Sequence, residues 1–553
     1  MPASLQPRGQ LNHPQLESFP RVAVANDIFK NQRNVTLVDL DGRPGEEVLW
    51  MADDKLIATA FDGNLWTRQL SGTGLYPPSV ADLDGDGEVE IVQATGGYQA
   101  GGRIYVLDVE GNILPGWPFR FNDPLFRTAP CLADIDGDGT LEILVNGLQW
   151  EDGLVYVFRK NGNVFSGNWP VLLDHRPAVT PTVGDMDGDG LMEIVAFSQE
   201  SRYMLDMNGQ ILPGWPQVTA PEQVYLQQSP IMAKLGEGEG LSLVGATHGG
   251  EEESQMPYFY VLDKQGSFRP GWPIPVPHNA DTFTSPTVVN LPGVGMAIFV
   301  SRPLPNGVSD DMLYGFDASG QMLPGFPIVK VGGLDGFISV ADVDGDDFHD
   351  LVFGSEVVDA SYSGFIHAYH MDDGDVSELP GFPIRTRGYT YMNGANFGDV
   401  DGDGRLDLVA LSWVFYQGIV PDSLYLNVYP LGVTIKEHTV LWGTFKGDNS
   451  RQGLAKGGIF TPVHQPVLAG LSITISPNPV HDKVNLRGIL DRPLSLSLAL
   501  VDVQGKVYSL RNRDFSKGDF YEAFSVNNIP PGTYWIHVRH EGKTVRSLPF
   551  IRY

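Results

Sequence analysis

An all-β fold is predicted for this 553-residue sequence by three observations: scattered glycine and proline, a recurring acidic loop, and a hairpin that follows the loop in each copy. The 65 glycines and 41 prolines do not gather into low-complexity tracts but separate short apolar runs, as where brief strands are joined by tight turns. The loop first appears in full as ADLDGDGEVEIV, Ala81 to Val92. It returns as DIDGDGTLEIL from Asp134, DMDGDGLMEIV from Asp185, DVDGDDFHDLV from Asp342 and DVDGDGRLDLV from Asp399. A weaker copy, DLDGRPGEEVL, starts at Asp39, and eroded copies start at Lys234 (KLGEGEGLSLV) and Asn290 (NLPGVGMAIFV).

Taken in chain order, residues 1–30 form an N-terminal segment with no repeat signal. Residues 31–456 then hold eight consecutive units whose first loop positions lie 43 to 57 residues apart. Each unit predicts a strand before the loop, a strand after it, and a Gly-turn hairpin such as RIYVLDVEGNILPGWP (Arg103 to Pro118) or LYGFDASGQMLPGFP (Leu313 to Pro327). Four short antiparallel strands per unit at this period predict a β-propeller, with eight blades preferred over seven. An open solenoid is the alternative. Closure is preferred because the motif departs from its consensus most in the middle of the array, whereas a solenoid needs atypical end caps. Trp117, Trp215, Trp272, Phe326 and Phe382 recur at one point of their units and are expected to pack between blades. The segment LWGTFKGDNSRQG (Leu441 to Gly453) leaves the repeat and is expected to seal the ring.

Residues 457–470, GGIFTPVHQPVLAG, read as a linker. Residues 471–553 alternate apolar and polar positions around Gly turns, in ISPNPVHDKVNL, LSLALVDVQGKVYSL and IPPGTYWIHVRHEGKTVRSLPFIRY, which predicts a small β-sandwich.

Composition narrows the partners. A formal charge of -30 argues against a sequence-independent grip on nucleic acid or anionic lipid and in favour of cations. The single cysteine, Cys131, excludes an intramolecular disulfide and a multi-thiolate zinc site, and its apolar neighbours predict burial. No apolar run is long enough for a membrane-spanning helix. The start, MPASLQPRGQLNHP, lacks a signal-peptide apolar region.

In the loop from Asp82, carboxylates fall at positions 1, 3, 5 and 9: Asp82, Asp84, Asp86 and Glu90. Gly85 and Gly87 allow the backbone to turn them toward one centre. An all-oxygen set of this kind suits calcium, with the Glu88 carbonyl at position 7; magnesium prefers to keep its waters, and no imidazole or thiolate is offered to zinc or copper. Without an ion, each close pair of like charges costs about 1 to 4 kcal/mol. The ions are expected to be structural, since a protein-filled coordination shell leaves little room for an activated water.

These loops resemble the calcium loops of FG-GAP repeats, the blade units of integrin α-subunit propellers and of bacterial surface proteins, over roughly Asn31 to Lys456. The resemblance implies about five calcium ions. Their ligands would be Asp82, Asp84, Asp86, Glu88 and Glu90; Asp134, Asp136, Asp138, Thr140 and Glu142; Asp185, Asp187, Asp189, Leu191 and Glu193; Asp342, Asp344, Asp346, Phe348 and Asp350; and Asp399, Asp401, Asp403, Arg405 and Asp407. The fourth-named residue of each set acts through its carbonyl. Arg43 stands where the Asp39 loop needs a carboxylate, which argues against an ion there, and the Lys234 and Asn290 loops are expected empty. The tail resembles the C-terminal sorting domain of the type IX secretion system of Bacteroidetes. The matching residues are Pro477, Asn478 and Pro479, then Asp502, Gly505 and Lys506, then Gly532, Thr533 and Tyr534. Its last strand carries Arg546 and Arg552 in place of the usual lysine. The resemblance implies export to the surface or medium with the secretion machinery as partner, so the start, which shows no leader, is expected to be truncated or misassigned.

The turns after each second strand vary most and predict a binding face with Tyr98, Trp150, Tyr362, Trp413 and Tyr416 as candidate contacts for glycan or protein ligands. An adhesion or binding module is the first functional expectation. A calcium-containing propeller polysaccharide lyase is the alternative enzyme reading, although no GxSxG, HExxH, P-loop or dinucleotide motif occurs and no catalytic residue is assigned. His248 and His349 are expected at the surface. A structural segment of a surface assembly is the third reading.

Overall fold

The computed structural model describes residues 13–552 except 26–32, 97–100, 122–127, 150–151, 219–223, 237–239, 250–255, 278–283, 292, 305–306, 356–362, 373–374, 391, 415–421, 456–470, 477–479, 491, 503–505 and 541–542. No α-helix occurs among these residues, and the chain divides into two compact units, residues 1–40 with 44–460, and 41–43 with 461–553.

The first unit is a β-propeller. Its described residues form eight separate sheets, one for each repeat. The second sheet is representative: Ser79–Ala81, Glu90–Thr95, Arg103–Leu107 and Phe119–Arg120 pair antiparallel in chain order, with the acidic loop joining the first two strands. Several second strands are buried along their whole length, as in EIVQAT of Glu90–Thr95 and EIVAF of Glu193–Phe197. That explains their richness in Ile, Val and Ala, because a strand covered on both faces gains from apolar side chains at most positions.

The eighth sheet is assembled differently from the rest. Asn396–Gly398, Arg405–Val414 and Ser423–Thr434 supply three strands, and the fourth is Arg21–Val24, paired antiparallel through Arg21↔Leu426 to Val24↔Ser423. Part of the segment set apart as 1–30 therefore belongs to the last sheet. The four residues RVAV alternate but carry nothing that names a partner some 400 residues away.

A second closure lies on the inner strands. A side chain able to donate a hydrogen bond recurs three positions before most loops, and it reaches a backbone carbonyl of the next unit. Thr36 Oγ1 donates to Pro78 O (2.7 Å), Ser79 Oγ to Pro130 O (2.7 Å), Thr182 Oγ1 to Pro230 O (2.8 Å), Thr287 Oγ1 to Ile338 O (2.6 Å) and Ser339 Oγ to Ala395 O (2.6 Å). Asn396 Nδ2 then donates to Val35 O (3.1 Å), joining the eighth unit to the first. Cys131 and Ile231 hold the corresponding places in the third and fifth units, and Cys131 is fully buried as expected.

The segment after the eighth sheet runs along the inner strands. Val440–Trp442 pairs with Ser339–Ala341, and Leu454–Ala455 pairs in parallel with Ile231–Ala233. Between them the carbonyls of Asn449, Ser450, Gln452 and Gly453 accept from the amides of Val80, Leu132, Val183 and Met232, in successive sheets, at 2.8 to 3.2 Å. Buried Arg451 reaches Thr36 Oγ1 and Thr444 Oγ1, and buried Lys446 reaches Thr182 Oγ1 and the Pro181 carbonyl. This segment fills the axis of the ring, and burial pulls the Lys446 ammonium down to about 8.

In the second unit, sheets of three and four strands enclose one apolar core that includes Val484, Leu498, Phe524, Ile536 and Phe550, a small β-sandwich.

Candidate metal centres in the acidic loops

Each full loop is held by the same internal hydrogen bonds, which follow from its sequence. In the second unit the position-1 carboxylate of Asp82 accepts from Gly85 N (2.7 Å) and Gly87 N (2.9 Å), Asp86 accepts from Glu88 N (2.9 Å), and Glu90 accepts from Leu83 N (2.9 Å). Gly85 and Gly87 take φ of +76° and +97°, where a Cβ would be strained, and in the seventh loop Asp347 accepts that position at +69°. The position-9 contact recurs from Glu142 to Ile135 N, Glu193 to Met186 N, Asp350 to Val343 N and Asp407 to Val400 N.

The result is a set of convergent carboxylates. Oxygens of Asp82, Asp84 and Asp86 lie within 4.8 Å of one another, as do those of Asp134, Asp136 and Glu142, of Asp185, Asp187 and Glu193, and of Asp342, Asp344 and Asp350. The weak first loop also gathers Asp39, Asp41 and Glu47, with Arg43 turned back onto Asp41 at 2.5 Å. Glu142, Asp350 and Asp407 are at most 2% exposed at the floor of their loops. Burial pushes the Glu142 and Asp407 carboxyls up to about 7, helped by neighbouring aspartates, and raises Asp350 in the same way. The donor set is all oxygen and negatively charged, which fits a hard divalent cation of calcium type. Leu191 and Phe348 carry no oxygen on their side chains, so at position 7 they can offer only the backbone carbonyl.

Basic side chains enter some loops. Lys160, from the next unit, meets Asp84 (2.6 Å) and Glu90 (2.7 Å); Lys264, likewise from the next unit, meets Asp187 (2.5 Å) and Glu193 (2.9 Å). Arg159 lies 3.1 to 3.4 Å from Asp136, Asp138 and Glu142. His370 stands farther from Asp350 (3.4 Å) and Asp346 (3.8 Å). Among the described residues no basic group pairs with the loop from Asp399.

The expected ligand face is only partly visible. Tyr98, Trp150, Tyr362 and Tyr416 lie outside the described residues. Trp413 does not belong to that face: it is 1% exposed, stacked on Tyr389 at 5.0 Å inside the core of the first and eighth sheets, because the strand Arg405–Val414 continues through it. His349 is also buried, with Nε2 2.6 Å from the His438 carbonyl. The tryptophans do pack between sheets, and each adds a hydrogen bond that the sequence did not announce. The indoles of Trp66, Trp117, Trp169, Trp215 and Trp272 donate to the carbonyls of Val109, Lys160, Met207, Lys264 and Ala318, always in the next unit.

Comparison with known proteins matches residues 82–145 to the FG-GAP-like repeat family and residues 474–548 to the secretion system C-terminal sorting domain. This chain carries an FG-GAP-like repeat and a type IX sorting tail. It is a secreted or cell-surface β-propeller protein, and the tail implies the type IX secretion system as its exporter. No helix is long and apolar enough to cross a membrane among the described residues. Curated proteins gave no match. Among solved structures, the biofilm matrix protein Bap1 of V. cholerae is 14% identical, with a TM-score of 0.37 over 80% of this chain and 97% of that one. The BP39L lectin of Burkholderia pseudomallei is 12% identical, with a TM-score of 0.38 over 61% of this chain and 92% of that one. Overlaps this loose carry no argument about function.

Proposed function

We propose that this protein is a calcium-stapled binding module, displayed or released outside the cell, that engages a glycan or protein ligand through the turns opposite its acidic loops. The single observation that supports it most is the division of labour in the ring. Convergent carboxylates join the first two strands of the repeats at one end, and the turns of widely different sequence lie at the other. The filled axis directs a ligand to those turns and away from a central channel. Eight sheets for eight repeats support the reading of eight blades.

Bound calcium would sit among the position 1, 3, 5 and 9 carboxylates and the position 7 carbonyl, supplying positive charge that lets buried Asp350 and Asp407 remain ionised. Melting followed by circular dichroism tests the staple: the transition moves up by several degrees in millimolar calcium relative to chelator, because an ion that binds the folded state alone stabilises it. Identical curves would rule the staple out. A glycan array and a surface-protein pull-down with the full chain test the binding role, with retention expected only in calcium.

A further inference from the structure

We infer that the loops at 82–90, 134–142 and 185–193 hold a resident cation supplied by the chain itself, so that calcium is taken chiefly by the loops at 342–350 and 399–407. This rests on the calcium reading above and sorts its sites. The argument begins with one repeated position, the residue whose carbonyl receives an indole from the preceding unit: Val109, Lys160, Met207, Lys264 and Ala318. That hydrogen bond fixes the backbone beside the preceding unit's acidic loop, and at two of the five positions the side chain placed there is a lysine. Lys160 and Lys264 face the full loops of the second and fourth units and touch positions 3 and 9 of each. Ala318 holds this position next to the fifth unit, whose loop from Lys234 (KLGEGEGLSLV) lacks the aspartates of a full copy.

Met207 faces the full third loop and brings no charge, yet that loop receives Arg159 from its own sheet, braced over the Phe165 ring at 4.6 Å. Three full loops in a row are thus matched with an ammonium or guanidinium that meets the carboxylates a metal would use. In the seventh loop the nearest basic group on those carboxylates is the His370 imidazole, and Lys436 pairs instead with Asp347 at position 6. The eighth loop has no basic partner among the described residues. An ion entering the first group must displace a tethered cation that is never more than a side-chain rotation away, which lowers its apparent affinity.

Calorimetric titration of the full chain with calcium tests this. The unsubstituted protein should take up about two equivalents at micromolar calcium, and the Lys160→Met/Lys264→Met double variant about two more. Should that variant fail to fold, single changes decide: Asp350→Asn and Asp407→Asn should each remove one equivalent, whereas Asp84→Asn and Asp187→Asn leave the count unchanged. Five equivalents in the unsubstituted chain, or no gain in the double variant, overturns the inference while leaving calcium binding intact. No uptake by any form overturns the calcium reading itself.

Discussion

At Asp407 the conflict between burial and charge is sharpest, because its carboxyl is 2% exposed, is pushed up to about 7 and has no basic neighbour among the described residues. An unfolded aspartate titrates near ~3.9, so between about pH 4 and 7 the ion-free folded chain holds a proton that the unfolded chain has released. Stability from this group therefore falls as pH rises through that window. In chelator, Asp407→Asn should remove that decline and gain about 2 kcal/mol at pH 8, read from denaturant melts; in calcium the same change should destabilise. Buried His367, lowered to about 4, pulls the other way below about pH 6.5, so the difference between variant and parent is the quantity to follow. Trp413→Ala should cost about 3 to 5 kcal/mol through loss of core packing and leave any ligand affinity of the folded protein unchanged. Weakened ligand binding at unaltered stability would return Trp413 to the ligand face.

The elements were legible to different degrees, for physical reasons. The acidic loops announce themselves because six or more of nine positions are constrained at once, by charge, glycine and the strand that follows. The hydroxyl three residues before the loop was missed, since a lone Ser or Thr is unremarkable until Thr36, Ser79, Thr182, Thr287 and Ser339 are aligned on their loops. Trp413 was misplaced because SWVFYQGIVPDS, Ser412 to Ser423, reads as a turn, whereas pairing with Ser423–Thr434 carries the strand through Val414. The strand Arg21–Val24 gave no signal beyond alternation, and its role follows from what it covers. Removing residues 1–25 would bare the edge of Ser423–Thr434, leaving its outward amides and carbonyls unpaired. Size-exclusion chromatography should then show association and melting should begin at lower temperature; a monomer with unchanged melting would make that strand dispensable. Thr182→Val should cost about 1 to 3 kcal/mol by stripping partners from both Pro230 O and the Lys446 ammonium.

For the whole molecule, two compact units with separate apolar cores predict separable folding. Residues 1–460 alone should keep the propeller's melting transition and its calcium response, while losing delivery to the cell surface, as followed by fractionation of producing cells. Loss of the transition on truncation would contradict independent cores. The axial segment has a further consequence, for timing. Asn449 to Gly453 contact strands made more than 200 residues earlier, so the last stretch of the propeller to leave the ribosome becomes its hub. Early repeats must wait, partly assembled, for a centrepiece that arrives at the end. Contacts so distant along the chain slow the final step and make nascent fragments dependent on whatever shields them until the hub is seated.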